Sequence, residues 1–199
     1  MKIGKHPRCG LVIIFLGLVA STSAQDHPID TANSTLRVHV FKSGLFSGLG
    51  DNHDVEAPIV EGTINETASR VKFVVAAQRM KVLDPHLSPD KRQQVQERML
   101  GPEVLDATRF PQITFESTNV EPAGQDQLLV RGQLSLHGVT RPVSASVRKQ
   151  DGRYVGTCTL KQRDFGIRPI SIAGGTVKVK DELKIEFDIR ASTTVSGAR

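Results

Sequence analysis

The chain has 199 residues, 38% of them hydrophobic and 24% charged, with a formal charge of +5 and two cysteines. These values describe one globular domain with a core of its own, and they exclude a disulfide scaffold, a collagen-like or low-complexity chain and a protein of many membrane spans. Aromatic content of 5%, with no Trp and one Tyr, leaves the interior to Val, Ile, Leu and Ala.

Lys2, Lys5 and Arg8 open the chain, Leu11 to Ala20 carries no charge, and Ser21-Thr22-Ser23-Ala24 offers small residues to a peptidase. This is the layout of a secretory signal over 1–24, with an apolar run shorter than the roughly 20 residues a bilayer anchor needs. An uncleaved tether is the alternative. Cleavage leaves 23 Lys and Arg against 21 Asp and Glu, a charge of +2. No block of like charges and no basic stripe interleaved with aromatics remains, so nucleic acid is not an expected partner. A periplasmic or secreted protein is expected. Cys158, alone after cleavage, implies a fold that needs no staple, and its alternating surroundings predict a buried, inert thiol.

Strands follow. Leu36, Val38 and Val40 alternate with Arg37, His39 and Phe41; Val71, Phe73, Val75 and Ala77 keep the same two-residue period. Ile113 and Phe115, then Leu128, Val130, Leu134 and Leu136, then Val143, Ala145 and Val147 continue it, and Tyr154, Gly156, Cys158 and Leu160 share one phase. In the last strand Val177, Val179, Leu183, Ile185, Phe187 and Ile189 face away from the charged residues between them. Strands with one oily and one wet side make antiparallel sheet with a single buried face. Gly62, Pro122-Ala123-Gly124, His137-Gly138, Asp151-Gly152 and Gly174-Gly175 supply the turn chemistry between them. About eight such strands must close or stack to keep that face dry, and an all-β, antiparallel up-and-down barrel is the expected fold. One helix is expected over 88–100: Ser88 can cap it, Pro89 suits its first turn, and Gly101-Pro102 ends it. Val95, Met99 and Leu100 are its few apolar residues, so it should lie on the barrel or cover a mouth. The domain is expected over 25–191, with a frayed tail over 192–199.

Chemistry-bearing residues are few. Asp51, His53 and Asp54 in GLFSGLGDNHDVEAP could ligate a divalent metal, but three close ligands on one loop are equally solvated turn residues. His39, His86 and His137 stand singly. Asp164-Phe165-Gly166 spells the magnesium-binding tripeptide of kinases without the glycine-rich and catalytic loops that would give it meaning. Asn33-Ser34-Thr35 and Asn65-Glu66-Thr67 fit glycosylation acceptors. No nucleophile, base and orienting group can be named together, so neither catalysis nor a cofactor is expected. An eight-stranded barrel is either filled by side chains or holds one small ligand, and pattern alone leaves both open.

Four blocks carry a resemblance that goes further. Ile29-Asp30 and Ser34-Thr35-Leu36 lead into Phe41-Lys42-Ser43-Gly44-Leu45-Phe46-Ser47. Phe110-Pro111-Gln112-Ile113-Thr114-Phe115-Glu116-Ser117 follows, then Gly132-Gln133-Leu134 running to Gly138-Val139-Thr140-Arg141-Pro142-Val143. Asp164-Phe165-Gly166-Ile167 and Val179-Lys180-Asp181-Glu182-Leu183 close the series. In these blocks the chain resembles the YceI-like family of exported proteins with a lipocalin-like barrel. One branch of that family carries G-H-x-H where this chain has Gly50-Asp51-Asn52-His53, so no role is carried over to a histidine pair. The resemblance implies a hollow barrel that binds a polyisoprenoid or another long-chain amphiphilic lipid without reaction. Its wall is expected to include Leu36, Val38, Val40, Val71, Phe73, Val75, Phe115, Leu134, Leu136, Ile185 and Phe187. A transient contact with a membrane surface and a homodimer are compatible with that role. A packed barrel acting as a structural module and a metal-dependent hydrolase using Asp51, His53 and Asp54 are the alternatives.

Overall fold

The computed structural model describes residues 25–43, 52–172 and 177–192. The expected signal over 1–24, Asp51, Gly174-Gly175 and the tail beyond Ser192 lie outside the described residues. Twelve strands share one antiparallel sheet: β1 (His27–Pro28), β2 (Thr35–Ser43), β3 (His53–Glu56), β4 (Ile59–Asn65), β5 (Arg70–Ala76), β6 (Lys81–Val82), β7 (Gln112–Gly124), β8 (Gln127–Leu136), β9 (Val139–Gln150), β10 (Arg153–Lys161), β11 (Ser171–Ile172) and β12 (Val177–Arg190). Among the described residues one α-helix, α1 (Pro89–Leu100), lies between β6 and β7.

The count exceeds the expected eight or so for two physical reasons. β1, β6 and β11 are two-residue ladders, too short to show a period. β3 and β4 are two halves of one strand bent at Ala57-Pro58, where Pro58 has no N–H to give. The chain stays in the sheet through the bend, because Ala57 N–H donates to the Leu36 carbonyl (2.9 Å) and Ala76 N–H to that of Pro58 (3.4 Å). The order of pairing is β2–β3 on one side of the bend and β4–β5–β7–β8–β9–β10–β12–β2 on the other. Neighbours in sequence are thus neighbours in space, and the sheet curls into a barrel.

Two of the expected turns are found and two are not. Pro122-Ala123-Gly124 end β7, paired with β8 across a turn at 125–126, instead of forming the turn themselves. His137 (φ 52°) with Gly138 (φ 75°), and Asp151 (φ 50°) with Gly152 (φ 72°), form the two-residue turns of the β8–β9 and β9–β10 hairpins. Positive φ at both central positions matches the right-handed twist of the strands they join. Gly62 is not a turn; it sits inside β4, paired with Phe73. Ser88 occupies the N-cap of α1 but makes no side-chain capping bond, and Pro89 and Asp90 begin the helix as expected.

Three of the motif blocks meet in one knot. The Phe110 ring lies edge-on to His137 at 4.9 Å, His137 Nδ1 donates to the Phe165 carbonyl (3.3 Å), and Arg141 Nε donates to that of Asp164 (3.0 Å). Arg163 N–H reaches Asp181 Oδ1 (3.0 Å), tying in the 179–183 segment. Phe165 is 1% exposed and Gly166 is left-handed at φ 75°. The kinase-like tripeptide is therefore a core anchor followed by the turn that releases the chain.

Candidate ligand-binding site

The strand alternation turns its oily phase inward, and the enclosed space is not filled. A cavity of about 1080 Å³ runs inside the barrel. That is just above the roughly 300–1,000 Å³ range of small-molecule sites, so the barrel interior is not packed solid. All eleven wall residues named from the sequence line it: Leu36, Val38 and Val40 of β2, Val71, Phe73 and Val75 of β5, Phe115 of β7, Leu134 and Leu136 of β8, and Ile185 and Phe187 of β12.

The space stays open because the aromatics lie along the wall. Gly132 and Gly156 face inward, and an added Cβ would come within 2.5 Å of Phe115 Cζ and 2.6 Å of Phe187 Cζ, respectively. The missing side chains give the two rings room to lie flat over the backbone. Phe73 then leans on Phe115, ring centres 5.3 Å apart and tilted 30°. Val130, Val143, Ala145 and Val147 add slim residues between them.

The two ends differ in chemistry. Where β4 meets β5 and β9 meets β10, Glu66 accepts from Lys149 Nζ and from Tyr154 Oη, each at 2.5 Å. Lys149 and Tyr154 hold the Glu66 carboxyl below its ordinary range. Burial, then the Glu66 contact, pushes the Tyr154 hydroxyl well above its own. At the other end α1 crosses the mouth. Its Lys91, Gln94, Val95, Glu97, Arg98 and Met99 line the cavity. Gln96 clamps the helix to the barrel: its Oε1 accepts the Val82 N–H and its Nε2 donates to the Met80 carbonyl, both at 2.8 Å. The helix thus takes the second of its two expected places.

The loop nominated for metal does not assemble. His53 points into the cavity from β3, while Asp54, the next residue, points outward and pairs with His39 Nδ1 at 2.7 Å. Adjacent strand residues face opposite sides, so the two cannot share an ion there. Asp51 lies outside the described residues, among which no group of three metal-ligating side chains gathers. The partner of His53 is instead Asp84, 1% exposed, whose Oδ2 lies 2.6 Å from His53 Nδ1. Sequence reasoning missed Asp84; a lone acid between Leu83 and Pro85 gives no periodic signal. Cys158 is half-buried on the cavity wall, not fully buried, and burial raises its thiol pKa. His86 is exposed, and His137 belongs to the motif knot.

With the barrel in place, similarity to known proteins can be placed on it. A YceI-like domain model matches residues 28–191, from β1 to just past β12. The chain belongs to the YceI-like family. A UPF0312 protein of Shewanella sp. strain W3-18-1 is 28% identical over 170 residues, covering 79% of this chain and 85% of its own. One from Shewanella oneidensis is 28% identical over 178 residues, covering 83% and 88%. Among solved structures, Burkholderia cenocepacia BcnA superposes with a TM-score of 0.57 at 18% identity, covering 82% of this chain and 99% of its own. That likeness concerns the fold. The YceI-like match spans the cavity walls and both mouths.

Proposed function

We propose that this YceI-like protein binds one long-chain lipid, of polyisoprenoid or similar kind, in a lipocalin-like barrel, and sequesters or carries it without chemical change. The cavity carries the reading: about 1080 Å³ of space, walled by Val, Leu, Ile and Phe. Each buried methylene contributes about 0.8 kcal/mol, so a twenty-carbon tail gains roughly 16 kcal/mol gross. Loss of free motion takes back about 4–15 kcal/mol, and the remainder is enough for capture. No bond is made or broken, and no cofactor enters.

Export over 1–24 fits such a role, since an aqueous periplasmic or extracellular space is where a water-insoluble chain needs a carrier. A lipid taken from or given to a membrane calls for transient contact with its surface, and α1 sits at the mouth where that contact would fall. A homodimer is compatible with the reading and is not needed by it.

Titration with a fluorescent long-chain lipid tests it. One lipid per chain is expected. Ala145→Phe, which adds a ring at a cavity-lining wall position, should weaken binding at least tenfold while the barrel stays folded by circular dichroism. Equal affinity in the variant, or no saturable binding to the unaltered protein, contradicts the proposal.

A further inference from the structure

Asp84 is the most deeply buried charged side chain among the described residues, and both of its oxygens are used. Oδ1 accepts the Asp54 N–H at 2.8 Å, and Oδ2 meets His53 Nδ1 at 2.6 Å. Burying a carboxylate in an apolar wall is costly unless its partners are well made. An ionised carboxylate only accepts hydrogen bonds, so the hydrogen in this contact sits on His53 Nδ1. In its neutral form the ring then has one tautomer, with a bare lone pair on Nε2. His53 is one-fifth exposed and lines the cavity, and its bond to Asp84 is made through Nδ1, which leaves Nε2 on the other side of the ring.

We propose that His53 is a specificity-determining residue for the ligand's head, and that Asp84 is its positioning residue: Nε2, fixed as an acceptor, selects a lipid whose head donates a hydrogen bond, that is, one ending in a hydroxyl. This rests on the lipid-binding reading and adds to it the head-group chemistry. A lone pair on the cavity wall favours a donor on the ligand, and a hydroxyl is the smallest head that brings one. A capped oxygen, as in an ether, brings a second lone pair and leaves both unsatisfied.

Three probes of one chain length separate the ideas: eicosanol, its methyl ether and eicosane, measured at pH 8 by displacement of a fluorescent apolar dye. The unaltered protein should bind the alcohol about five- to tenfold more tightly than the ether, the worth of one hydrogen bond. Asp84→Asn places an amide against Nδ1. The amide oxygen takes the Asp54 N–H, its NH2 donates to Nδ1, and the ring hydrogen moves to Nε2. Nε2 then donates to either oxygen, so the alcohol's advantage over the ether should collapse. A structural role for Asp84 would weaken all three probes together and leave their order unchanged. His53→Phe/Asp84→Asn, which removes the ring nitrogens and the buried charge at once, should bind the alcohol no more tightly than the ether. Equal binding of alcohol and ether by the unaltered protein overturns the proposal and leaves the carrier reading standing. Failure of all three to bind overturns both.

Discussion

At the scale of single residues, what matters is whether a side chain meets protein or empty space. Phe165 is enclosed by the motif knot, whereas Phe187 lies over Gly156 with the cavity on its other side. Phe165→Ala should therefore cost about 3–5 kcal/mol by carving a new void. Phe187→Ala should cost about half as much, since it enlarges a space that already exists; paired urea denaturation curves read the difference. Tyr154 makes a pH prediction. Its hydroxyl ionises above its ordinary value of 10.0 in the folded chain. Its contribution is thus fully present below that value and is lost as pH rises beyond it. Melting temperature should fall on the alkaline side, and Tyr154→Phe should remove that part of the fall. The eleven wall positions were legible in the sequence because the pleat allows only two faces, and one oily residue fixes the phase of its strand. Asp84 was not, because its meaning comes from His53, 31 residues away, and no local pattern carries that contact.

At the scale of elements, legibility follows length and turn chemistry. β8, β9 and β10 could be read because each runs nine residues or more between turns of Asp, His and Gly. β3 and β4 could not: a mixed His53–Glu56 stretch and a bend at Pro58 break the alternation before it repeats. α1 was recognised by its start and stop signals, but its place at the mouth depends on Gln96, whose amide stands in for a neighbouring strand by pairing with the backbone at Met80 and Val82. Gln96→Ala removes both bonds and leaves β6, the last strand in the pairing order, without them. A loss of about 1–2 kcal/mol is expected. Faster hydrogen exchange at the Val82 amide, with the β8–β9 amides unchanged, would localise it; unchanged exchange at Val82 would mean the clamp does not hold the helix.

At the scale of the whole molecule, the barrel is a container whose contents are set by what its walls lack. Scarce aromatics and inward glycines keep about 1080 Å³ free. The family blocks that identify the chain build the knot that shapes one end. The fold class and the oily phase were written in the sequence; that the middle is open was not, since alternation describes a wall equally well whether or not its side chains meet across the axis. Native mass spectrometry of the protein purified from its native host, without detergent, tests the central claim most directly. The account predicts a population heavier than the polypeptide by the mass of one long-chain lipid, released on collisional activation. A single peak at the bare polypeptide mass, unchanged after incubation with long-chain lipids, would contradict it.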